Sequence, residues 1–261
     1  MRGTVVFRLT EGNPVSDARR PSVTSRVLAI LGAFDEAHPR LTLSELAAAA
    51  DLPVSTAHRL VGELQAWDAV ERDPDGRYVV GRRLWKVGTL APVARELREA
   101  SLPAMQDLYE ATHENVQIAV REGTQALYVE RIHGTSSVPI LSRPGVPLPM
   151  HATGVGKVLL AWAPREVVEE VVEGLKPITR YTITERGRML RELATVRRVG
   201  YARTIEEMGY GTCSLAVPVL DARGEVVAAL AIVTRSVRRD QVKLAPALRG
   251  AAASITRRMV V

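Results

Sequence analysis

A chain of 261 residues, 46% hydrophobic and with a formal net charge of +6, is long enough to hold two separate cores. It has no apolar run near the roughly 18 residues of a bilayer span and no charged-then-apolar N-terminal signal pattern, so a cytoplasmic location without a membrane partner is expected. The single cysteine, Cys213, excludes an internal disulfide, and with five histidines that lack ligand spacing it anchors no metal, so no cofactor is expected.

Residues 1–21 contain Gly12-Asn13-Pro14 and the charged run Asp17 to Arg20 with no sustained apolar period, which predicts a disordered tail whose Arg19-Arg20 adds phosphate contacts. From residue 22 the pattern changes. Val23, Val27, Ile30, Leu31 and Phe34 recur at helical spacing and predict an amphipathic first helix. In LSELAAAADLPVSTAHRLVGEL, from Leu43 to Leu64, the points Leu46, Ala50, Leu52, Ala57, Leu60 and Leu64 fall where a helix-turn-helix buries them, and Ala47 is small where the helices cross. Asp51-Leu52-Pro53 breaks the period between the helices, with Asp51 at a turn position that favours a left-handed residue, a conformation Asp tolerates.

The second helix of that pair is expected to bury Val54, Ala57, Leu60, Val61 and Leu64 and to turn Ser55, Thr56, His58 and Arg59 outward. Short hydroxyls, an imidazole and a guanidinium in the first turn and a half suit a helix whose N-terminal end enters a DNA major groove. The plainer alternative is a helical hairpin with a solvated polar face. The next segment favours DNA: residues 69–72 and 77–80 flank Asp73-Pro74-Asp75-Gly76, a turn with proline fixing φ and glycine free to take positive φ, which predicts a hairpin wing. Arg72 and Arg77 at its base are candidates for phosphate contacts, although arginines beside a turn are also common on any surface. Residues 22–81 are expected to form a winged helix-turn-helix on double-stranded DNA. Residues 22–100 carry ten Lys and Arg against eleven Asp and Glu, so any DNA affinity comes from where individual cations stand and not from net charge.

Residues 82–100 predict a helical linker with Leu84, Val87, Leu90, Val93 and Leu97 apolar and Pro92 breaking the run, its apolar face suited to pairing two subunits. In the domain over 101–261, strands are expected at 115–121, 125–132, 201–205, 214–220 and 226–234, with helices at 153–162, 165–172, 186–199 and 245–259. Short turns, such as Asp221 to Gly224, join neighbouring strands. The fold class is therefore α+β, an antiparallel sheet flanked by helices with a small-molecule pocket on one face.

In order along the chain stand Leu41 to Ala47, Leu52-Pro53, Ser55-Thr56, Arg59-Leu60, Gly76-Arg77-Tyr78 with Gly81, His151-Ala152-Thr153 leading to Gly156-Lys157, Val196-Arg197, Gly200-Tyr201-Ala202, Glu206-Glu207 and Leu215 to Val219 with Asp221, Gly224 and Ala228-Ala229-Leu230. From about Ser22 to Met259 this ordered set resembles the IclR-type transcriptional regulators. The resemblance implies a winged DNA-binding domain, a GAF-like effector-binding domain, assembly as a homodimer or homotetramer, and a sensor rather than a catalyst. It implies effector contacts at Met150, Ala152, Thr153, Gly154, Thr204, Thr212, Ser214, Ala231 and Val233. Ser214 falls where many members have cysteine, Thr204 where some are acidic, and Ala231 and Val233 where some have serine. Those departures imply a less polar or bulkier ligand than a small keto acid; a register slip of one residue puts Cys213 in the pocket instead.

Apparent catalytic motifs fail on their own terms. Gly154-Val155-Gly156-Lys157 has His151 where a phosphate loop needs its first glycine and Val158 where it needs Ser or Thr, leaving a turn that opens a helix, with Lys157 available to an anionic ligand. Cys213 and His151 have the residue types of nucleophile and base, yet a lone strand cysteine is usually a small buried hydrophobe. Glu206 and Glu207, as strand neighbours, face opposite ways, so either is better suited to accepting structural hydrogen bonds. The expectation is a ligand-responsive regulator on a pseudo-palindromic operator; the alternative is a small-molecule-binding or enzymatic protein whose winged domain serves protein contacts.

Overall fold

The structure, a computed structural model, describes residues 21–35, 38–90, 92–135, 137–236 and 241–259, with backbone only at 92–94. The tail expected to be disordered, with Arg19-Arg20, lies outside the described residues, as does the side chain of Val93. Residues divide into compact units at 1–90 and 91–261. No helix among the described residues is long and apolar enough to cross a membrane.

In the smaller unit, α1 (Val23–Gly32), α2 (Leu43–Ala49) and α3 (Val54–Ala66) pack around Ile30, Leu46, Leu60, Val61 and Leu64. Helix α2 starts at a capping box: Thr42 Oγ1 accepts from Glu45 N–H at 3.3 Å and Glu45 returns a carboxylate to Thr42 N–H at 2.7 Å. Asp51 takes the left-handed conformation, φ 53°, and Leu52 N–H closes the turn onto Ala47 O at 2.8 Å. Strands β1 (Val70–Arg72) and β2 (Tyr78–Val80) form the expected wing, and Leu41 adds an antiparallel bridge to Tyr78.

Val54 corrects one expectation. It is 50% exposed rather than buried, because a side chain on the first residue of a helix leans toward the N-terminus, past the edge of the core its helix covers. Ala50, Leu52 and Phe34 are half-buried at the rim of the same core.

The apolar stretch after the wing forms α4 (Arg82–Gly88), on which Trp85, Val87 and the following Leu90 are exposed. Pro92 opens α5 (Pro92–Thr112), where its missing N–H costs nothing. That helix continues well beyond residue 100.

The larger unit is an antiparallel six-stranded sheet in the order β5-β4-β3-β8-β7-β6, built from β3 (Asn115–Glu122), β4 (Gln125–Ile132), β5 (Pro147–Pro149), β6 (Ala202–Ile205), β7 (Thr212–Leu220) and β8 (Val226–Arg235). Period-two alternation gives it two different faces. Leu215, Val217, Val219, Leu230 and Ile232 pack against α5 and α9 (Ala245–Met259). The opposite face offers small side chains, Ala119, Ala216, Ala229 and Ala231, so α6 (Gly154–Ala161) can lie close on it, with α7 (Arg165–Glu173) and α8 (Arg186–Val199) outside. All eight residues of α6 are buried. The α+β architecture is as expected; the proline-flanked edge strand β5 is additional, and prolines are tolerated there because an edge strand has a free side.

Candidate functional site

Two surfaces carry the candidate site residues. On α3, Ser55, His58 and Arg59 are exposed and Thr56 is half-buried, while Ala57, Leu60, Val61 and Leu64 are buried beneath them. Pro53 caps the helix without a side-chain acceptor, so the first-turn N–H groups remain open to an incoming oxygen such as that of a phosphate. Arg59 lies 2.7 Å from Glu63, with both side chains more than half exposed. A pair so wet is worth less than about 1 kcal/mol, so the guanidinium is free to change partners.

The two wing arginines differ. Arg72 Nε donates to Gly76 O at 2.9 Å and its guanidinium lies over the Tyr78 ring, 5.8 Å from the centroid, so it fastens the turn it sits beside. Arg77 only approaches Glu45, at 3.9 Å. Asp73 Oδ1 shapes the turn by accepting from the N–H groups of Asp75 and Arg77, both at 3.0 Å. Arg40, unmarked by any pattern in the sequence, joins the wing by pairing with Asp73 at 3.3 Å.

The second surface is a cavity of about 300 Å³ on the α6 face of the sheet, walled by Gln117, Tyr128, Leu148, Val233, residues 139–142 and residues 208–210, with the start of α6 at one side. Of the nine positions implied as effector contacts, Thr153, Gly154, Thr204, Thr212, Ser214 and Val233 line it. Met150, Ala152 and Ala231 are fully buried and do not. Ala231 is covered by the helix cluster, and Met150 lies under α6: a β-carbon on Gly156 would stand 2.4 Å from Met150 Cα. Cys213 faces the other side of the sheet beside Gln241, where burial pushes its thiol pKa up.

Gly154 and Gly156 are therefore packing glycines rather than a phosphate cradle. A β-carbon on Gly154 would meet Ser214 Oγ at 2.5 Å. Thr153 caps α6 by accepting from Gly156 N–H at 3.1 Å, which leaves the N–H groups of Gly154 and Val155 without a partner inside the helix. Ser214 Oγ is buried with no hydrogen-bond partner among the described residues. Other hydroxyls are engaged: Ser142 donates to Gln117 Oε1, Thr153 to Pro149 O at 3.3 Å and Thr212 to Gly209 O at 2.6 Å. Burial drives the Tyr128 phenol well above its ordinary pKa. None of the described residues lining the cavity carries a charge.

Lys157, expected within reach of an anionic ligand, is instead fully buried, with Nζ 2.7 Å from Glu207 and 3.5 Å from Glu192. Burial raises the Glu207 carboxyl, with Lys157 opposing. Glu206 accepts from Gly211 N–H at 2.9 Å and from the Ser236 hydroxyl at 2.8 Å, bonds that hold its carboxyl below the usual range. The two glutamates lie beyond the end of β6, with Glu206 at φ 56°, and not as neighbours on a strand, but both act as structural acceptors. Thr179 and Thr182 add hydroxyl bonds to the carbonyls of Glu206 and Glu207, 2.7 Å each, fastening the segment from which the Met208–Tyr210 wall departs. The loops at 139–142 and 208–210 had no periodic signal in the sequence, and Gln117, a lone amide in an apolar strand, is a wall residue that the sequence reading did not name.

Residues 23–74 match the family model described as the IclR helix-turn-helix domain, and residues 91–257 match that described as the bacterial transcriptional regulator IclR C-terminal domain. The chain is 31% identical to the HTH-type transcriptional regulator XynR of Escherichia coli K12 over 84% of its own length and 88% of that protein. It is 32% identical to the E. coli K12 repressor AllR, covering 79% and 78%. Among solved structures, an IclR homologue from Microbacterium hydrocarbonoxydans complexed with 4-hydroxybenzoate is 33% identical and superposes with a TM-score of 0.88 over 91% of this chain and 99% of that one.

Proposed function

The chain belongs to the IclR family of ligand-responsive, DNA-binding transcriptional regulators, and we propose that two or four copies of it bind an operator of two-fold symmetry and respond to a small organic effector held in the cavity beside α6. Ser55, Thr56, His58 and Arg59 contact base edges or neighbouring phosphates in the major groove, and Arg72 and Arg77 contact the backbone. A symmetric pair of chains requires half-sites related by the same symmetry. Effector binding changes DNA affinity by favouring one of two populated states of the protein, in proportion to its preference between them.

The observation that carries this reading is the division of α3 into an aliphatic side sunk in the core and a polar side left open over its first turns. Its test is fluorescence anisotropy on the DNA immediately upstream of the protein's own gene. Saturable binding at least about a thousandfold tighter than to scrambled DNA supports it, as does a stoichiometry of two chains per site. Equal affinity for both sequences overturns it.

A further inference from the structure

We propose that Arg40 is a positioning residue for DNA binding: paired with Asp73 and Asp75, it holds the wing turn in shape and neutralises an acidic tip that phosphates would otherwise repel. This role rests on the wing lying along DNA. An element that meets a phosphate backbone is expected to carry unpaired cations. Residues 71–77 instead hold Glu71, Asp73 and Asp75 against Arg72 and Arg77, an excess of negative charge. Both arginines have other calls on them: Arg72 Nε donates to Gly76 O at 2.9 Å, and Arg77 lies 3.9 Å from a further carboxylate, Glu45. Glu71 is answered from beyond the hairpin by Arg82, at 3.4 Å. The two aspartates at the tip are left to Arg40.

Asp73 cannot swing away from the DNA side of the turn. Its side chain is only 9% exposed, and Oδ1 accepts from the N–H groups of Asp75 and Arg77, both at 3.0 Å, so the carboxylate that brings the charge also shapes the turn. Arg40 Nη1 donates to the other oxygen, Oδ2, at 3.3 Å and stands 3.9 Å from Asp75 Oδ2. Among the described residues it is the one cation paired with either aspartate. The backbone delivers it there. Leu41, the next residue, exchanges two hydrogen bonds with Tyr78, at 3.0 Å and 2.7 Å, tying the segment before α2 to the wing at the point from which Arg40 reaches the tip. With Arg40 itself 60% exposed, the pairing adds little to folding. Its consequence falls on an approaching polyanion, which two bare carboxylates would repel through space. One nitrogen makes both contacts, so the site requires a positive charge at that point rather than a guanidinium fork.

The experiment is a double-mutant cycle on the full chain, read by fluorescence anisotropy on the DNA upstream of its own gene and on scrambled DNA, at about 50 mM and about 200 mM salt. Arg40→Ala should weaken binding to both DNAs about tenfold at the lower salt while keeping the parent melting temperature, and Arg40→Lys should stay within about threefold of the parent. Asp75→Asn should tighten binding at least about threefold more in the Arg40→Ala chain than in the parent, and that difference should shrink at the higher salt as the repulsion is screened. Arg40→Gln supplies the same cycle if Arg40→Ala does not fold. An equal effect of Asp75→Asn in both backgrounds overturns the proposal, because Arg40 then acts on phosphate by itself. Parent-like binding by Arg40→Ala overturns it as well, because the tip then stands clear of DNA, and Arg40→Lys as weak as Arg40→Ala overturns the requirement for charge alone. Failure of the regulator reading is separate: a parent chain that binds the two DNAs equally loses that reading, while the cycle is still read on scrambled DNA.

Discussion

Lys157 and Glu207, fifty residues apart in sequence, meet as an ion pair at 2.7 Å, with the lysine wholly buried in the middle of α6. Removing one member of such a pair strands the other charge and typically costs about 3–5 kcal/mol. Lys157→Ala should therefore lower the urea-unfolding free energy by about that amount, and Lys157→Met with Glu207→Leu should recover most of it. Equal destabilisation by the single and double variants would mean that the pair contributes packing rather than charge compensation.

Glu207 and His151 should give the stability curve slopes of opposite sign. Burial raises the Glu207 carboxyl above its ordinary 4.5, so the folded chain holds that proton where the unfolded chain has released it. Its contribution is greatest below about pH 4.5 and is lost as pH rises through the folded value. Burial lowers the His151 imidazole from 6.5, only partly offset by its bond to Lys176 O. Its contribution is complete above about pH 6.5 and is lost as pH falls through the folded value. Unfolding free energies from pH 4 to 8 should show the first slope vanish in Glu207→Gln and the second in His151→Gln.

Gly154→Ala should damage the cavity directly. Its new carbon would stand 2.5 Å from Ser214 Oγ and 3.1 Å from Ser214 Cβ, and such overpacking usually costs about 1–3 kcal/mol. Adding Ser214→Gly removes both atoms and should restore most of the melting temperature. A Gly154→Ala protein as stable as the parent would show that α6 can move off the sheet at little cost.

The same residues explain what the sequence could and could not disclose. The α9 helix and β7 were legible because each follows a local rule: apolar residues every three or four positions in the helix, and a short apolar run closed by the Asp221–Gly224 turn in the strand. Asp51 was legible because few side chains tolerate its conformation. Val54 was misjudged because periodicity assigns a helix face but not where the core ends along the axis. Lys157 was misjudged because its partner comes from a loop fifty residues later. The cavity's outer wall, residues 139–142 and 208–210, comes from loops with no repeating pattern, and the lining residues named in advance, Thr153, Gly154, Thr204, Thr212, Ser214 and Val233, were reached through the family resemblance.

The arginines around α3 and the wing should separate into three behaviours once DNA is bound. Arg59 is exposed and, among the described residues, paired with Glu63, so Arg59→Ala should leave unfolding within about 0.5 kcal/mol of the parent. At a base edge it would contribute about 1–3 kcal/mol of discrimination, so operator affinity should fall roughly ten- to a hundredfold while affinity for scrambled DNA changes less. Arg77, only 3.9 Å from Glu45 and otherwise exposed, suits a phosphate contact. Arg77→Ala should weaken both DNAs alike and reduce the slope of log affinity against log salt by about 1 per chain. Arg72 is committed to Gly76 O and the Tyr78 ring, so Arg72→Ala should also loosen the wing, seen as faster amide exchange at residues 73–77 in the free protein. If Arg59→Ala and Arg77→Ala reduce the salt slope equally and leave discrimination intact, α3 grips phosphates only and sequence reading must lie in another element.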